Sequence, residues 1–239
     1  MLNKKVLKDI QSLSLKKHRQ ERRLFVAEGP KIAGELISML PQQVVGIYAT
    51  EDWVRRNEGI AAEVISATEL DRISQLQTPN EVLVVLRQLP AAEPVVNKGW
   101  CLYLDGIQDP GNMGTIIRVA DWFGIKNIVC GRGCAELYNQ KVVQSTMGSI
   151  ARVGVWYDNE STWLQKQSIP LFAASLQGTS IYDFDKRETG ILVTGNESKG
   201  VSDDVMQLVT QRITIPKRGE AESLNAAVAT GIILSHVLR

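Results

Sequence analysis

Apolar and polar positions along the chain follow two spacings, one typical of buried strands and one typical of amphipathic helices. Continuous runs of Val, Ile and Leu indicate strands, and apolar residues three or four positions apart indicate the helices between them. The strands predicted in the second half cover residues 100–107, 127–130, 153–157, 171–175, 191–194 and 212–215. Strands that alternate with helices predict a parallel sheet with helices on both faces, so the predicted fold class is α/β.

The first half repeats this alternation on a smaller scale. Helices are predicted at 4–18, at 30–39 and around Trp53, strands at 24–27, 44–48 and 81–88, and a strand–helix pair at 64–75. Residues 90–99 are rich in Pro and small residues, as linkers are. We therefore predict a small α/β domain at 1–90 and a larger domain at 98–239, joined by a linker at 91–97.

Composition excludes several classes of protein. The 239 residues are 44% hydrophobic and 22% charged, which is typical of a globular chain. No apolar run is long enough to cross a bilayer, and the basic N-terminus lacks the apolar core of a signal peptide. Cys101, Cys130 and Cys134 lie in or beside apolar strands, which predicts reduced, buried thiols in a cytoplasmic protein. His18 and His236 are far apart in the sequence, so no metal is expected.

The formal charge of +1 conceals a basic N-terminal segment. Residues 1–23 carry eight lysines and arginines against two acidic residues, a charge of +6, so the remainder of the chain is at about −5. Such a segment is typical of contact with nucleic acid, although a solvated amphipathic helix has the same composition. We predict RNA contacts for the basic cluster formed by Lys16, Lys17, Arg19, Arg22 and Arg23.

A polar loop follows each of three predicted strands in the second half. The first loop turns at residues 109–111 and opens a helix, with Asn112 as its predicted cap and Arg118 six residues further on. The second contains T-G-N-E-x-x-G, from Thr194 to Gly200, after a continuously apolar strand. The third follows Ile215-Pro216 and ends in S-L-N-A-A, where a long apolar helix begins. Loops that follow parallel strands meet at one edge of the sheet, which is where ligands bind.

In this order the three motifs closely resemble those of the TrmH (SpoU) class of SPOUT RNA methyltransferases, over about residues 98–239. The segment at 16–31 resembles the N-terminal substrate-binding domain of many rRNA methyltransferases in that class, a fold related to a small RNA-binding ribosomal protein. The resemblance implies a C-terminal SPOUT domain with a trefoil knot, a homodimer, and S-adenosylmethionine as the methyl donor to a ribose 2′-hydroxyl. The extra N-terminal domain favours rRNA over tRNA as the substrate.

The resemblance also implies roles for individual residues. Five would form the catalytic site: Arg118, Asn112, Glu197, Ser223 and Asn225. Six would contact the cofactor, largely through the backbone: Thr194, Gly195, Gly200, Ile215, Leu224 and Leu176. Helix capping alone would explain Asn112, Ser223 and Asn225. Glu197 has three alternatives, which are to pair with Arg118, to bind a ribose hydroxyl or to face solvent. The resemblance makes Arg118 the catalytic arginine, either as the base that deprotonates the ribose hydroxyl or as a clamp for the adjacent phosphate and hydroxyl. Because a guanidinium stays protonated in proteins, the clamp is the favoured role.

Two other classes of function compete with this interpretation. A non-catalytic RNA-binding or ribosome-assembly factor would keep the fold, but five matching catalytic positions argue against it. A nucleotide-binding oxidoreductase is suggested by Gly111 and Gly114, but the chain lacks G-x-G-x-x-G with a downstream ribose-binding acid.

Overall fold

The computed structural model describes residues 2–238, which group into two compact units. The first comprises residues up to Pro90 together with Tyr138–Ala151, and the second comprises Ala91–Leu137 and the chain from Arg152 onward. Each unit has its own sheet and core. The domain boundaries drawn from the sequence, including the linker, stay a prediction.

The first unit is a four-stranded mixed sheet with helices. Its elements are α1 (Lys4–Ser12), α2 (Lys16–Arg22), β1 (Leu24–Glu28), α3 (Pro30–Met39), β2 (Val44–Ala49), α4 (Glu51–Arg56), β3 (Glu63–Val64), α5 (Ala67–Ile73), β4 (Val82–Arg87) and α7 (Gln140–Thr146). The strand order is β1-β4-β2-β3, with β4 antiparallel to both of its neighbours and β2 parallel to β3. The predicted strands are confirmed to within a residue or two.

The predicted basic helix at 4–18 is wrong, because the structure divides it into α1 and α2. Arg19 explains the break: its guanidinium donates to the carbonyl oxygens of Leu13 (2.9 Å) and Ser14 (2.8 Å), which lie between the two helices. Carbonyls at a helix end lack partners within the helix, so a buried arginine that binds them stabilises the turn. Arg19 is only 4% exposed. Part of its donor capacity therefore serves the fold, and its burial differs from the exposed position expected for this basic residue, while its contact with RNA stays a prediction.

The second unit contains a six-stranded sheet in which every pairing is parallel. Its elements are β5 (Gly99–Asp105), α6 (Pro110–Trp122), β6 (Asn127–Cys130), β7 (Gly154–Tyr157), β8 (Leu171–Ser180), β9 (Thr189–Gly195), α8 (Asp203–Met206), β10 (Gln211–Thr214) and α9 (Ala226–Val237). The order is β10-β8-β9-β5-β6-β7, so β5 and β9 lie side by side in the middle. The predicted α/β class with a parallel sheet is confirmed, while the trefoil knot stays a prediction.

Strand β8 extends five residues beyond its predicted end and pairs with β10 in two pieces. Arg212 lies opposite Ala173, but the next residue, Ile213, lies opposite Thr179. Residues 174–178 are therefore extra in β8, a local irregularity that bends strands at functional edges. Gly178 permits it, because a Cβ there would meet the backbone of Arg212 at 2.5 Å. Leu176 lies within this insertion.

Candidate active site

The three motif loops meet at the carboxyl edge of the parallel sheet, where β5 and β9 end next to each other. Asn112 is in the first turn of α6 and Asn225 directly precedes α9, while Glu197 follows β9 by two residues. The Asn112 side-chain nitrogen donates to Glu197 Oε1 at 2.8 Å. The Asn225 side-chain nitrogen donates to Asn112 Oδ1 at 2.7 Å. One chain of hydrogen bonds thus joins the three motifs.

Helix α9 fixes the direction of these hydrogen bonds. Asn225 Oδ1 accepts from the backbone N–H groups of Ala227 (3.0 Å) and Val228 (3.3 Å), as an N-cap side chain does. The Asn225 amide nitrogen therefore faces Asn112 and donates to its side-chain oxygen. The Asn112 amide nitrogen is then left to donate to Glu197. An ionised carboxylate only accepts, so Glu197 completes the chain with matching polarity. The predicted capping role of Asn225 and its place in the site are both present.

The prediction that Asn112 caps its helix is wrong. Asp109 is the N-cap of α6, and its carboxylate accepts from the Asn112 backbone N–H at 2.8 Å. Pro110 occupies the first helical position, where its missing N–H costs nothing. An acidic residue before Pro is itself a sequence signal for a helix start. Because Asp109 supplies the cap, the Asn112 side chain is available to join Glu197 and Asn225.

Arg118 lies apart from this chain of hydrogen bonds. Six residues at 3.6 per turn place it about 120° around α6 from Asn112. Its side chain is exposed, and no hydrogen bond or ion pair joins it to Asn112 or Glu197 within residues 2–238. Ser223 is also exposed, two residues before Asn225. The structure thus gathers three of the five predicted catalytic residues and leaves Arg118 and Ser223 at the surface.

The loop after β9 is held in a compact turn. Asn196 pairs with Gly200 through two backbone hydrogen bonds of 2.9 Å, and its side chain donates to the Gly106 carbonyl at 2.8 Å. A Cβ on Gly195 would collide with the backbone of Gly200 and Val201. Gly200 has φ = +71°, which favours glycine. Asn196, which the sequence interpretation passed over, therefore holds Glu197 in position and ties the β9 loop to the β5 loop.

The predicted cofactor contacts fall into different environments. Thr194 is buried and its hydroxyl lies 3.0 Å from that of Thr230, so its side chain is already engaged. Leu176 and Leu224 are unusually exposed for leucine, at 74% and 47%. The Thr214 hydroxyl donates to the Leu176 carbonyl at 3.2 Å, which brings Ile215 close to Leu176. The contacts of these residues with the cofactor stay a prediction.

Of the basic residues predicted to contact RNA, four are exposed on or just after α2. Arg22 forms an ion pair with Asp9 at 2.8 Å, and Lys17 lies 3.9 Å from Glu21. Within residues 2–238, no cluster of three or more His, Cys, Asp or Glu residues could hold a metal ion. No helix in the same range is long and apolar enough to cross a membrane.

An all-parallel sheet that gathers three polar loops at one edge, in a chain that also contains a small mixed-sheet unit, is the composition of SPOUT-type RNA methyltransferases. The chain belongs to the SpoU rRNA Methylase family, whose model matches residues 99–235. Residues 3–84 match the MRM3-like substrate binding domain. The predicted family, the S-adenosylmethionine-dependent RNA 2′-O-methyltransferase class and the cofactor are thereby confirmed.

Individual relatives cover nearly the whole chain. The 23S rRNA (guanosine(2553)-2′-O)-methyltransferase RlmP of Bacillus subtilis is 29% identical over 98% of this chain and 96% of its own length. A TrmH-family protein structure from Porphyromonas gingivalis is 38% identical, with a TM-score of 0.87, covering 99% of this chain and 98% of that one. An AdoMet-bound rRNA methyltransferase from Sinorhizobium meliloti is 27% identical, with a TM-score of 0.84, covering 99% and 95%.

Proposed function

We propose that the protein methylates a ribose 2′-hydroxyl of ribosomal RNA. The observation that carries the proposal is the chain of hydrogen bonds from Asn225 through Asn112 to Glu197, because it unites three loops that are remote in sequence. Ribosomal RNA is favoured over tRNA because RlmP, a 23S rRNA enzyme by name, matches both units of this chain. The substrate-binding match at residues 3–84 supports the same choice.

The cofactor pocket is proposed to lie between the ends of β8, β9 and β10. S-adenosylmethionine supplies a methyl group on a sulfonium, which is the electrophile in the transfer. Leu176, Ile215 and Leu224 would cover the adenosine, and the backbone of Thr194 and Gly195 would bind its polar edges. The tight turn closed by Gly200 would define one wall.

Catalysis is proposed to rest on positioning rather than on a strong base. Methyl transfer needs the ribose oxygen in line with the breaking bond, and orientation alone can lower a barrier by several kcal/mol. Arg118, exposed and cationic, would clamp an RNA phosphate next to the reacting ribose, with the hydroxyl proton leaving late or to that phosphate. Glu197 and Asn225 would hold the loops in register through Asn112, and Ser223 would contact the RNA.

A homodimer is proposed because the helices that flank the site keep exposed apolar side chains. Trp122 is 85% exposed and lies one turn beyond Arg118 on the same face of α6. Helix α9 packs against α6 and exposes Val228. An exposed tryptophan beside other apolar groups marks an interaction surface. A second copy that covers Trp122 would also approach Arg118.

The predicted cytoplasmic location rests on the free thiols and the RNA substrate.

A methyl-transfer assay tests the proposal. The purified protein is incubated with S-adenosylmethionine labelled on the methyl group and with unmodified rRNA or tRNA, and ribose-methylated nucleosides are quantified. We expect wild type to label rRNA. The rate of labelling should fall by about two orders of magnitude or more in Arg118→Ala and stay unchanged in the matched surface variant Arg187→Ala. Label in tRNA alone would contradict the choice of substrate. Cofactor binding with no label in either RNA would favour the assembly-factor alternative.

A further inference from the structure

A polar cleft in the first unit lies outside the site described so far. Its volume is about 530 Å³, within the range of ~300–1,000 Å³ that small-molecule pockets occupy. Three stretches of chain supply its walls: the α1–α2 region, the end of α5 with the residues after it, and the start of α7. All of its lining residues belong to the first unit.

The lining of this cleft carries positive charge and side-chain amides. Arg19, Arg72 and Lys141 are its charged lining residues, and none of the residues that line it is acidic. Four further lining residues bear side-chain amides: Gln11, Gln75, Asn139 and Gln140. Arg72 is exposed, so its guanidinium is open to a ligand. A cleft with this composition selects a ligand that is anionic and rich in donors and acceptors.

Two of the amides have unused hydrogen-bonding capacity. The Nε2 atoms of Gln75 and Gln140 are shielded from solvent, and neither has a hydrogen-bond partner among residues 2–238. A buried amide donor without a partner destabilises the fold, so such groups are rare unless something else binds them. Both residues line the cleft and are only half-buried as a whole.

The backbone that carries these amides is held firmly. The carboxylate of Glu28 is buried and accepts from the Ser74 hydroxyl and from the Gln75 backbone N–H, the latter at 2.9 Å. Asn139 caps α7 by accepting from the Lys141 backbone N–H at 2.9 Å, which fixes the position of Gln140 between them. Rigid support of this kind is what a binding site needs from the residues behind it.

We propose that this cleft binds one unpaired nucleotide of the substrate RNA. Arg72 and Lys141 would bind its phosphate, and the amides of Gln75 and Gln140 would bind the polar edge of its base. A side-chain amide offers both a donor and an acceptor, which matches the edges of bases splayed out of single strands. The inference rests on the proposed function, since it assigns part of the RNA contact to this cleft rather than to the exposed face of α2.

Binding of a fluorescein-labelled, single-stranded RNA 12-mer of mixed sequence tests the proposal by anisotropy. We expect Arg72→Ala and the pair Gln75→Leu/Gln140→Leu to weaken binding roughly tenfold each. Arg72→Ala should also reduce the slope of log affinity against log salt by about 0.7, the value for one phosphate on a single strand, and the leucine pair should not. Arg55→Ala and Gln42→Leu, exposed and outside the cleft, are the matched controls.

Three outcomes separate this proposal from the proposed function. S-adenosylmethionine affinity, which depends on the second unit, should be unchanged in every variant. If wild type methylates rRNA and Arg72→Ala binds the 12-mer as wild type does, the cleft is not an RNA site and the enzyme assignment stands. If wild type binds the cofactor but no RNA, both proposals fail. Should the leucine pair not fold, Arg72→Ala decides alone, because its side chain is exposed.

Crosslinking gives a second measurement. The same 12-mer with 4-thiouridine is irradiated on the wild-type protein, and the modified peptides are identified by mass spectrometry. We expect crosslinks within 72–75 and 139–141. Crosslinks confined to 16–17 and 22–23 would overturn the proposal in favour of the exposed face of α2.

Discussion

Asn112 holds the site together because both ends of its side chain are occupied. Its amide nitrogen serves Glu197 and its amide oxygen serves Asn225, so each neighbour depends on the correct orientation of one planar group. Removing a hydrogen bond to a charged group typically costs about 1.5–3 kcal/mol. Replacing the Asn112 amide nitrogen with an oxygen costs more free energy, because that oxygen and the Glu197 carboxylate are both acceptors and then face each other.

Asn112→Asp is therefore expected to reduce kcat/KM more than Asn112→Ala does. The aspartate would bring a carboxylate against Glu197 while keeping the size of the side chain. We expect about tenfold loss for alanine and at least tenfold more for aspartate, measured as steady-state methyl transfer. Asn159→Asp, an exposed change in the same unit, serves as the control for added charge. Equal losses in the two variants would show that polarity is not what matters at this position.

The three cysteines are all free thiols but lie in different environments. Burial raises the pKa of Cys101 to about 12 and holds the pKa of Cys130 well above its ordinary value. A hydrogen bond from the Cys130 thiol lowers the pKa of Cys134, which is only half-buried. The thiolate is the reactive form, so we expect iodoacetamide near pH 8 to label Cys134 first. Peptide mapping after brief labelling checks this, and equal labelling of Cys101 would contradict it.

Among the elements, β9 and α9 are joined by a pair of buried hydroxyls. Thr194 and Thr230 lie 3.0 Å apart, and the Thr230 hydroxyl lies 2.7 Å from the Ala226 carbonyl. Both side chains are buried, so an orphaned hydroxyl cannot turn to water. This contact fixes the start of α9, and with it Asn225, against the central strand.

Thr230→Val should lower the free energy of unfolding by about 1–3 kcal/mol, because it leaves the Thr194 hydroxyl buried without its partner. The double variant Thr194→Val/Thr230→Val should recover part of that loss, since no orphaned hydroxyl remains. Urea unfolding of the two variants and wild type measures the difference. Additive losses in the double variant would mean that the two hydroxyls do not act as a pair.

Glu28 ties β1 to the segment after α5 and makes the first unit sensitive to pH. Burial raises its pKa above the ordinary value of 4.5, outweighing the hydrogen bonds from Ser74 and Gln75 that lower it. When folding raises the pKa of a carboxyl, the group contributes its full stability at pH values below its pKa in the unfolded state. That contribution is lost as the pH rises through its pKa in the folded state. We therefore expect wild type to lose stability relative to Glu28→Gln as pH rises above 4.5. Urea midpoints from pH 4 to 8 measure this, and a constant difference would refute it.

The sequence predicts most strands of this fold but only part of the site. Continuous apolar runs locate β6 to the residue and β5, β7 and β9 to within two. The insertion in β8 is invisible to periodicity, because extra residues in a strand still alternate as a strand does. Asn112 and Glu197 were found by motif, whereas their mutual hydrogen bond spans 85 residues and depends on tertiary structure. Arg19 looked like an exposed cation because composition does not reveal burial.

At the scale of the whole molecule, we expect Trp122 to lie in the contact of the proposed homodimer. Replacing it with glutamate places a charge in the centre of the proposed contact, so Trp122→Glu is expected to be monomeric by analytical ultracentrifugation. Because Arg118 lies one turn away, we also expect methyl transfer to fall at least tenfold while the melting temperature changes little. Val95→Glu, equally exposed but in the segment before β5, is the control. A dimeric Trp122→Glu protein would move the interface elsewhere.

The sequence separation of 113 between Asn112 and Asn225 has a consequence for synthesis on the ribosome. A nascent chain that ends at residue 224 already contains β6 and β9, the strands that pair with β5. It still lacks Asn225, whose amide orients Asn112, and helix α9, which orients Asn225. Contacts between such distant positions form late. Translation therefore imposes an order of events, in which the protein gains its activity only after nearly all of its second unit has been made.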